Sequence, residues 1–299
     1  MSITVEGSEL IDRVVDPRKL VDDIASVLSS DDAIAPKRLS LEYRGSWIGA
    51  MPAAGLGYVA VKVVGVYPRN PSRGLPLVRG VLSLFDGDTG EELLRVDAAA
   101  PTGWRTAAAS ALALRLMGFS GGGTLGIIGA GVQATYHAAV LTTIFSFERL
   151  LVYSRTREKA NRLAAKFGGE AASSLDVLLG SSNVVVAATT STRPVVHGSR
   201  LAPGTFVVSV GAPRPVKELD DQTVKRARCI VVDTVEGALS ETDDVKGAEE
   251  LVELRELVRG IKRCKYGEVR VYKSVGTALL DLAVAIHVYR ALKPRSDEG

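Results

Sequence analysis

Apolar residues in the first thirty positions recur as Ile11, Val14, Val15, Leu20, Val21, Ile24, Val27 and Leu28, partly at the three-to-four spacing of a helix face and interrupted by Pro17. This predicts a helical hairpin or a kinked helix. Leu41 to Met51, Tyr58 to Tyr67, Arg79 to Phe85 and Glu92 to Val96 then read as strands, broken by Pro52 to Gly57, Pro68 to Gly74 and the turn Asp86-Gly87-Asp88-Thr89-Gly90. An antiparallel sheet follows from short strands joined by such turns. Ala107 to Met117 is an Ala/Leu helix, and Gly121-Gly122-Gly123 breaks the chain into a new unit.

Beyond that break the pattern alternates. Thr124 to Ile128, Leu150 to Tyr153, Asn183 to Thr189, Thr205 to Val210 and Cys229 to Val232 are short, continuously apolar strands. Val132 to Ile144 and Arg157 to Phe167 between them are helical. The alternation is that of a doubly wound parallel sheet. Glu236 to Arg263 interleaves acids and bases around Leu251, Leu254 and Leu257, which predicts exposed helices. Thr277 to Leu292 is an apolar helix expected to pack back on the first domain. The predicted fold class is therefore α/β: a Rossmann-type parallel sheet over residues 121–275, and an α+β domain formed by both chain ends, 1–120 with 276–299.

Composition narrows the class. The 299 residues are 46% hydrophobic, enough for two domains and too apolar for a disordered chain. Lys and Arg number 37 against 34 Asp and Glu, an excess of +3 with no basic tract, so nucleic acid is not an expected partner. No segment reaches the roughly 18 to 20 apolar residues of a membrane span, and the start carries Glu6 and Glu9 without an apolar run. No membrane partner is expected. Cys229 and Cys264 show no CxxC or Cys/His pairing, so neither a zinc site nor a disulfide is signalled and a reducing cytoplasm fits. Scarce Asn and Gln point to a heat-adapted source.

The segment Gly126-Ile127-Ile128-Gly129-Ala130-Gly131-Val132-Gln133-Ala134 places GxGxxA directly after a strand and at the opening of a helix. Gly129 permits the tight turn, Gly131 lets backbone approach a pyrophosphate, and Ala134 lets helix and strand pack closely. The first helical amides then face the phosphates. At the end of the next strand, where an acid would bind a ribose 2′-hydroxyl, the chain has Ser154-Arg155-Thr156-Arg157. Two guanidiniums and two hydroxyls suit a 2′-phosphate, which favours NADP(H) and leaves NAD(H) possible. Thr189, Thr190, Val210 and Gly211 follow further strands, where ligands dock in such sheets.

Three bases lie elsewhere. Lys62 sits in the apolar run Val59-Ala60-Val61-Lys62-Val63-Val64, on a solvated edge or in a pocket. Arg105, between Trp104 and Thr106 at the predicted helix start, conflicts with the positive helix end unless an anion intervenes. Arg38 opens a strand after Pro36 and by itself reads as a surface residue. His137 and His287 fall inside helices and read as structural; His197 has no metal-ligand spacing, and no metal is expected. Ser110 and Ser274 carry no paired-histidine signal. Asp281, alone in an apolar helix, reads as a buried contact to backbone without a chemical role.

Together Pro36-Lys37-Arg38, Val61-Lys62-Val63-Val64, Arg105-Thr106-Ala107-Ala108-Ala109-Ser110, Gly129-Ala130-Gly131-Val132-Gln133-Ala134, Lys217-Glu218-Leu219-Asp220-Asp221 and Tyr272-Lys273-Ser274-Val275-Gly276 resemble the ornithine cyclodeaminase / mu-crystallin family, in family order and over nearly the full chain. The resemblance implies a homodimer with a nicotinamide-binding domain and a substrate and dimerisation domain. It implies that Arg38, Lys62 and Arg105 surround a substrate carboxylate, that Arg105 and Thr106 reach the cofactor, and that Ser274 to Gly276 lie near the nicotinamide.

Members of this family move a hydride to or from the α-carbon of an amino or imino acid. Lys62 could bind the carboxylate or deliver a proton to the imine nitrogen if desolvation lowers its pKa. Cyclodeaminases carry an aspartate where this chain has Pro213 in Val210-Gly211-Ala212-Pro213-Arg214-Pro215, and some have an acid near Gly49-Ala50-Met51-Pro52. Both absences favour an imine reductase or amino-acid dehydrogenase over an ornithine cyclodeaminase, with Asp220, Asp221 or another acid left as spatial substitutes. A crystallin-like binding protein is the reading from outside the enzymes.

Overall fold

The computed structural model describes residues 2–212 and 214–293. Contacts divide the chain into two compact units, Met1–Arg105 with Thr277–Gly299, and Thr106–Gly276.

The first unit opens with β1 (Ile3–Val5), a three-residue strand too short for the apolar pattern to signal, followed by α1 (Glu9–Val14) and α2 (Pro17–Ser29). Asp16 caps α2 by accepting the backbone N–H groups of Arg18 and Lys19, and Pro17 at the first helical position gives up an N–H that would lack a partner there. Leu20, Val21, Ile24, Val27 and Leu28 form the buried stripe. Next come β2 (Leu39–Tyr43), β3 (Ser46–Gly55), β4 (Tyr58–Val66), β5 (Val78–Asp86) and β6 (Glu92–Asp97). They form an antiparallel sheet in the order β1-β6-β5-β4-β3-β2, with β1 parallel to β6.

Two details depart from expectation. The segment Leu41–Met51 is not one strand but the hairpin β2–β3, turning at Arg44 and Gly45, both at positive φ. Pro52, expected to break the sheet, lies inside β3 opposite Val61. Pairing with β2 ends at Ala50, so β3 is locally an edge strand at Pro52, where a missing N–H costs no ladder bond.

The helix α3 (Ala99–Leu116) begins eight residues before the predicted start and contains the unit boundary. The second unit continues through β7 (Thr124–Ile128), α4 (Val132–Ile144), β8 (Arg149–Tyr153), α5 (Arg157–Lys166), β9 (Glu170–Ala171), α6 (Leu175–Ser181), β10 (Val184–Ala187) and β11 (Phe206–Ser209). It ends with α7 (Asp221–Ala227), β12 (Cys229–Val232), α8 (Val235–Glu241), β13 (Glu250–Glu253), α9 (Leu254–Val258) and β14 (Arg270–Lys273). All eight strands are parallel, in the order β13-β12-β14-β11-β10-β7-β8-β9. The fold is thus α/β with a doubly wound parallel sheet.

The stretch Glu236 to Arg263 is not all helix: β13 takes Leu251 and α9 begins at Leu254. The chain then returns to lay β14 between β12 and β11, which carries Cys264 to the head of β12. Cys229 and Cys264 are joined there as a disulfide, Cα atoms 5.7 Å apart, contrary to the reading of two independent thiols. Finally α10 (Ala278–Leu292), buried from Ala278 to Val288, packs on α2, β3, β4 and β5 of the first unit. His287 ties it down: Nε2 accepts the backbone N–H of Asp16, and Nδ1 lies 2.7 Å from Asp23 Oδ2. Among the described residues no helix is long and apolar enough to cross a membrane.

Candidate active site

In the first unit, Lys62 occupies the middle of β4 with uncharged Met51 and Leu82 beside it on the flanking strands. It is 2% exposed. Its Nζ donates to Oδ1 of Asp281 on α10 at 2.8 Å, and Nε of Arg105 lies 3.2 Å from the same oxygen. Arg38, half-buried, stands with its guanidinium over the Trp47 ring and adds its charge to the field at Lys62. Burial holds Lys62 down at about 8; the Asp281 charge and hydrogen bond oppose that fall, while Arg105 and Arg38 add to it. Two of the three bases singled out in the sequence, Lys62 and Arg105, thus meet on one acid, and the charge of Arg38 reaches Lys62.

That acid corrects the sequence reading of Asp281, which bonds side-chain cations and not backbone. Its Oδ2 and the Nη1 of Arg105 are buried without hydrogen-bond partners. Buried polar groups left in this state are costly and are completed by a ligand or water. A lone carboxylate in an otherwise apolar helix was the available signal; its partner in β4 lies 219 residues away.

In the second unit the proposed cofactor residues follow strands that are neighbours in the sheet, β14, β11, β10, β7 and β8. Gly129 has φ +112, and a Cβ there would stand 2.4 Å from the carbonyl oxygen of Ala188, so only glycine closes this turn. Gly131 is different. A Cβ on it would meet nothing within 4 Å, leaving open space before α4, whose N-terminus has no side-chain cap. Uncapped amides facing open space fit a pyrophosphate. Ala134 is fully buried, as close helix packing requires, while Val132 at the helix opening is exposed. Arg155, Thr156 and Arg157 are exposed beyond β8, with Ser154 half-buried, free of an acid in that turn. Thr106 is buried on α3.

The loops after β10 and β11 are fixed from beneath. Glu218 is fully buried and accepts Thr189 N–H (2.7 Å) and Oγ1 (2.8 Å) on one oxygen, and Ser209 Oγ and Gly211 N–H on the other. Asp244 accepts the backbone N–H groups of Glu218 and Leu219 and pairs with Lys273 Nζ at 2.8 Å. Asp233 does the same for the next loop, accepting Ser274 Oγ, Val275 N–H and Gly276 N–H as well as the Tyr272 hydroxyl. Thr190 is exposed and Val210 half-buried at these strand ends. The role of Glu218, Asp233 and Asp244 was not legible, because each acid acts on backbone that only the fold brings near.

Other candidates resolve plainly. Ser110 does have a histidine partner, Oγ to His137 Nε2 at 2.9 Å, but both are fully buried. Burial holds His137 down at about 4, so it is neutral, with Nδ1–H donated to the Gln133 carbonyl. Asp220 caps α7 through Thr223 and binds Gly198 N–H; Asp221 pairs with Lys217 on the surface. Pro213 lies outside the described residues. No cluster able to hold a metal ion occurs among the described residues.

The ornithine cyclodeaminase/mu-crystallin family model matches residues 17–296. The chain belongs to this family. It is 36% identical over 255 residues to the ketimine reductase mu-crystallin of Rattus norvegicus, covering 83% of this chain and 81% of that protein. The structure of Thermococcus litoralis Δ1-pyrroline-2-carboxylate reductase in complex with NADH and L-proline is similar with a TM-score of 0.88 and 30% identity, covering 97% of both chains. An archaeal alanine dehydrogenase dimer with bound NAD is similar with a TM-score of 0.85 and 26% identity, over 97% of this chain and 95% of that one.

Proposed function

We propose that this family member is an NAD(P)-dependent oxidoreductase acting on the C–N bond at the α-carbon of a small amino or imino acid. Reduction of a cyclic ketimine carboxylate such as pyrroline-2-carboxylate is the reading the site supports best, with interconversion of a small L-amino acid and its 2-oxo acid next to it. The observation that carries this is the meeting of Lys62 and Arg105 on Asp281, with the charge of Arg38 acting on Lys62. Two permanently charged guanidiniums hold a carboxylate, and an amine held near 8 can give up a proton at neutral pH.

Gly129, Ala130, Gly131, Val132 and Gln133 would hold the cofactor pyrophosphate, helped by Arg105 and Thr106. Ser154, Arg155, Thr156 and Arg157 would take a ribose 2′-phosphate, so we assign NADP(H) as the preferred cofactor. Thr189, Thr190, Val210, Ser274 and Gly276 would line the nicotinamide end. When bound, the nicotinamide supplies or accepts the hydride. The chain's part is to fix the substrate carboxylate and to pass a proton from Lys62 Nζ to the substrate nitrogen, leaving the lysine neutral.

Ornithine cyclodeamination is disfavoured because proline at position 213 can neither take a proton nor pair with an ammonium. The active form we propose is a homodimer joined through the first unit's sheet. Leu39, Leu41 and Tyr43 on β2 and Val63 on β4 share one face of that sheet and are exposed, a contiguous apolar patch of the kind that marks an interface. A cytoplasmic setting fits the cofactor, and the Cys229–Cys264 disulfide is compatible with it in a heat-adapted host. Lys62→Met tests the assignment: turnover is abolished while NADPH still binds, whereas retained turnover contradicts it.

A further inference from the structure

Two cations, Lys62 and Arg105, meet on Asp281 in the first unit, and Arg38 adds its charge at Lys62. A single oxygen, Oδ1, accepts the hydrogen bond of Lys62 Nζ and forms an ion pair with Arg105 Nε, from a helix that is otherwise apolar through its first nine residues. Ion pairs at such depth contribute little net stability, because desolvation offsets their attraction. The consequence of this one lies in the cations it holds. Arginine does not shed its proton, so when charge in the cluster changes, Lys62 is the group that responds.

We propose that Asp281 is a positioning residue: through Oδ1 it holds Lys62 and Arg105 in one geometry and keeps Lys62 protonated until the substrate nitrogen takes that proton. The proposal rests on the reading of Lys62 as proton donor. The step balances simply. The imine carbon gains the hydride, its nitrogen gains the Lys62 proton, the C=N double bond becomes single, and the neutral amine of Lys62 regains a proton from solvent.

The charged groups facing Lys62 are Asp281 from α10, Arg105 from α3 and Arg38 from the segment before β2; Met51 and Leu82, its neighbours on β3 and β5, carry none. Burial and the two arginines push Lys62 down, and Asp281 alone pushes it up. Removing that charge therefore moves loss of the proton to lower pH. An opposite charge at this distance is worth about one to three pH units.

Two profiles test this: kcat/KM against pH with NADPH and pyrroline-2-carboxylate, and calorimetric binding of pyrrole-2-carboxylate, an unreactive planar carboxylate, over the same range. Wild type should lose kcat/KM above about pH 8, and analogue binding, still held by the two arginines, should weaken there as the Lys62 charge goes. Asp281→Asn should move both inflections down by about one unit or more, and Asp281→Glu should return them toward wild type. Equal inflections in Asp281→Asn and wild type overturn the proposal. If Asp281→Asn does not fold, Asp281→Ser is the second neutral variant, and inflections equal to wild type in it overturn the proposal. If wild type reduces no imine, the reductase reading fails, and analogue binding still decides the role of Asp281.

Discussion

Thr189 gives both its backbone N–H and its hydroxyl to Oε1 of Glu218, while the other oxygen of that carboxylate takes Ser209 and Gly211. One buried acid thereby ties together the loops leaving two adjacent strands. Glu218→Gln replaces an acceptor oxygen with an NH2 that faces donors. It should cost about 1 to 3 kcal/mol of stability and raise KM for the nicotinamide cofactor more than it lowers kcat. Denaturant melts and steady-state kinetics check this; an unchanged cofactor KM contradicts it.

Cofactor choice should follow Arg155. Arg155→Ala removes a charge from the turn after β8 and should weaken NADPH about tenfold or more, in keeping with the loss of a charge-assisted hydrogen bond, with little effect on NADH. Fluorescence titration of the two reduced cofactors measures the ratio. Equal losses refute the 2′-phosphate assignment.

Leu41 stands in the exposed apolar face of the first sheet. Leu41→Asp places a charge in that face and should convert the proposed homodimer to monomer, as read by analytical ultracentrifugation, without lowering the helical signal in circular dichroism. An unaltered sedimentation coefficient places the interface elsewhere.

The disulfide closes a loop spanning 35 residues. A crosslink of that length stabilises by roughly 4 kcal/mol on the chain-entropy model. Cys229→Ser should therefore lower the Tm by several degrees, and a reductant should lower wild type to the same level. If neither changes the melt, the crosslink contributes no stability.

Much of this molecule could be read from its residues, and the misses share a cause. The limits of β7, α4 and β12 follow from short apolar runs bounded by glycine or by charge, which are local signals. Gly129 and Gly131 were legible because their backbone demands are local as well. The β2–β3 hairpin was not, since Arg44 and Gly45 carry no standard turn pair. β14 was missed because a run ending in Lys273 does not look buried, and in the fold that charge is met by Asp244, Ser209 and the Gly211 carbonyl. In the site, Lys62 and Arg105 stood out as bases in unusual surroundings, whereas Arg38 reads as a surface residue and entered only through the family resemblance. Asp281 did not, because its meaning lies in a partner at the far end of the chain.

The most direct measurement is absorbance at the reduced-nicotinamide band with purified protein, NADPH or NADH, and a panel of imine carboxylates and of 2-oxo acids with ammonia. Oxidation of NADPH by pyrroline-2-carboxylate with matching formation of proline is the predicted result. Absence of oxidation with every substrate, together with proline formed from ornithine, would contradict the account.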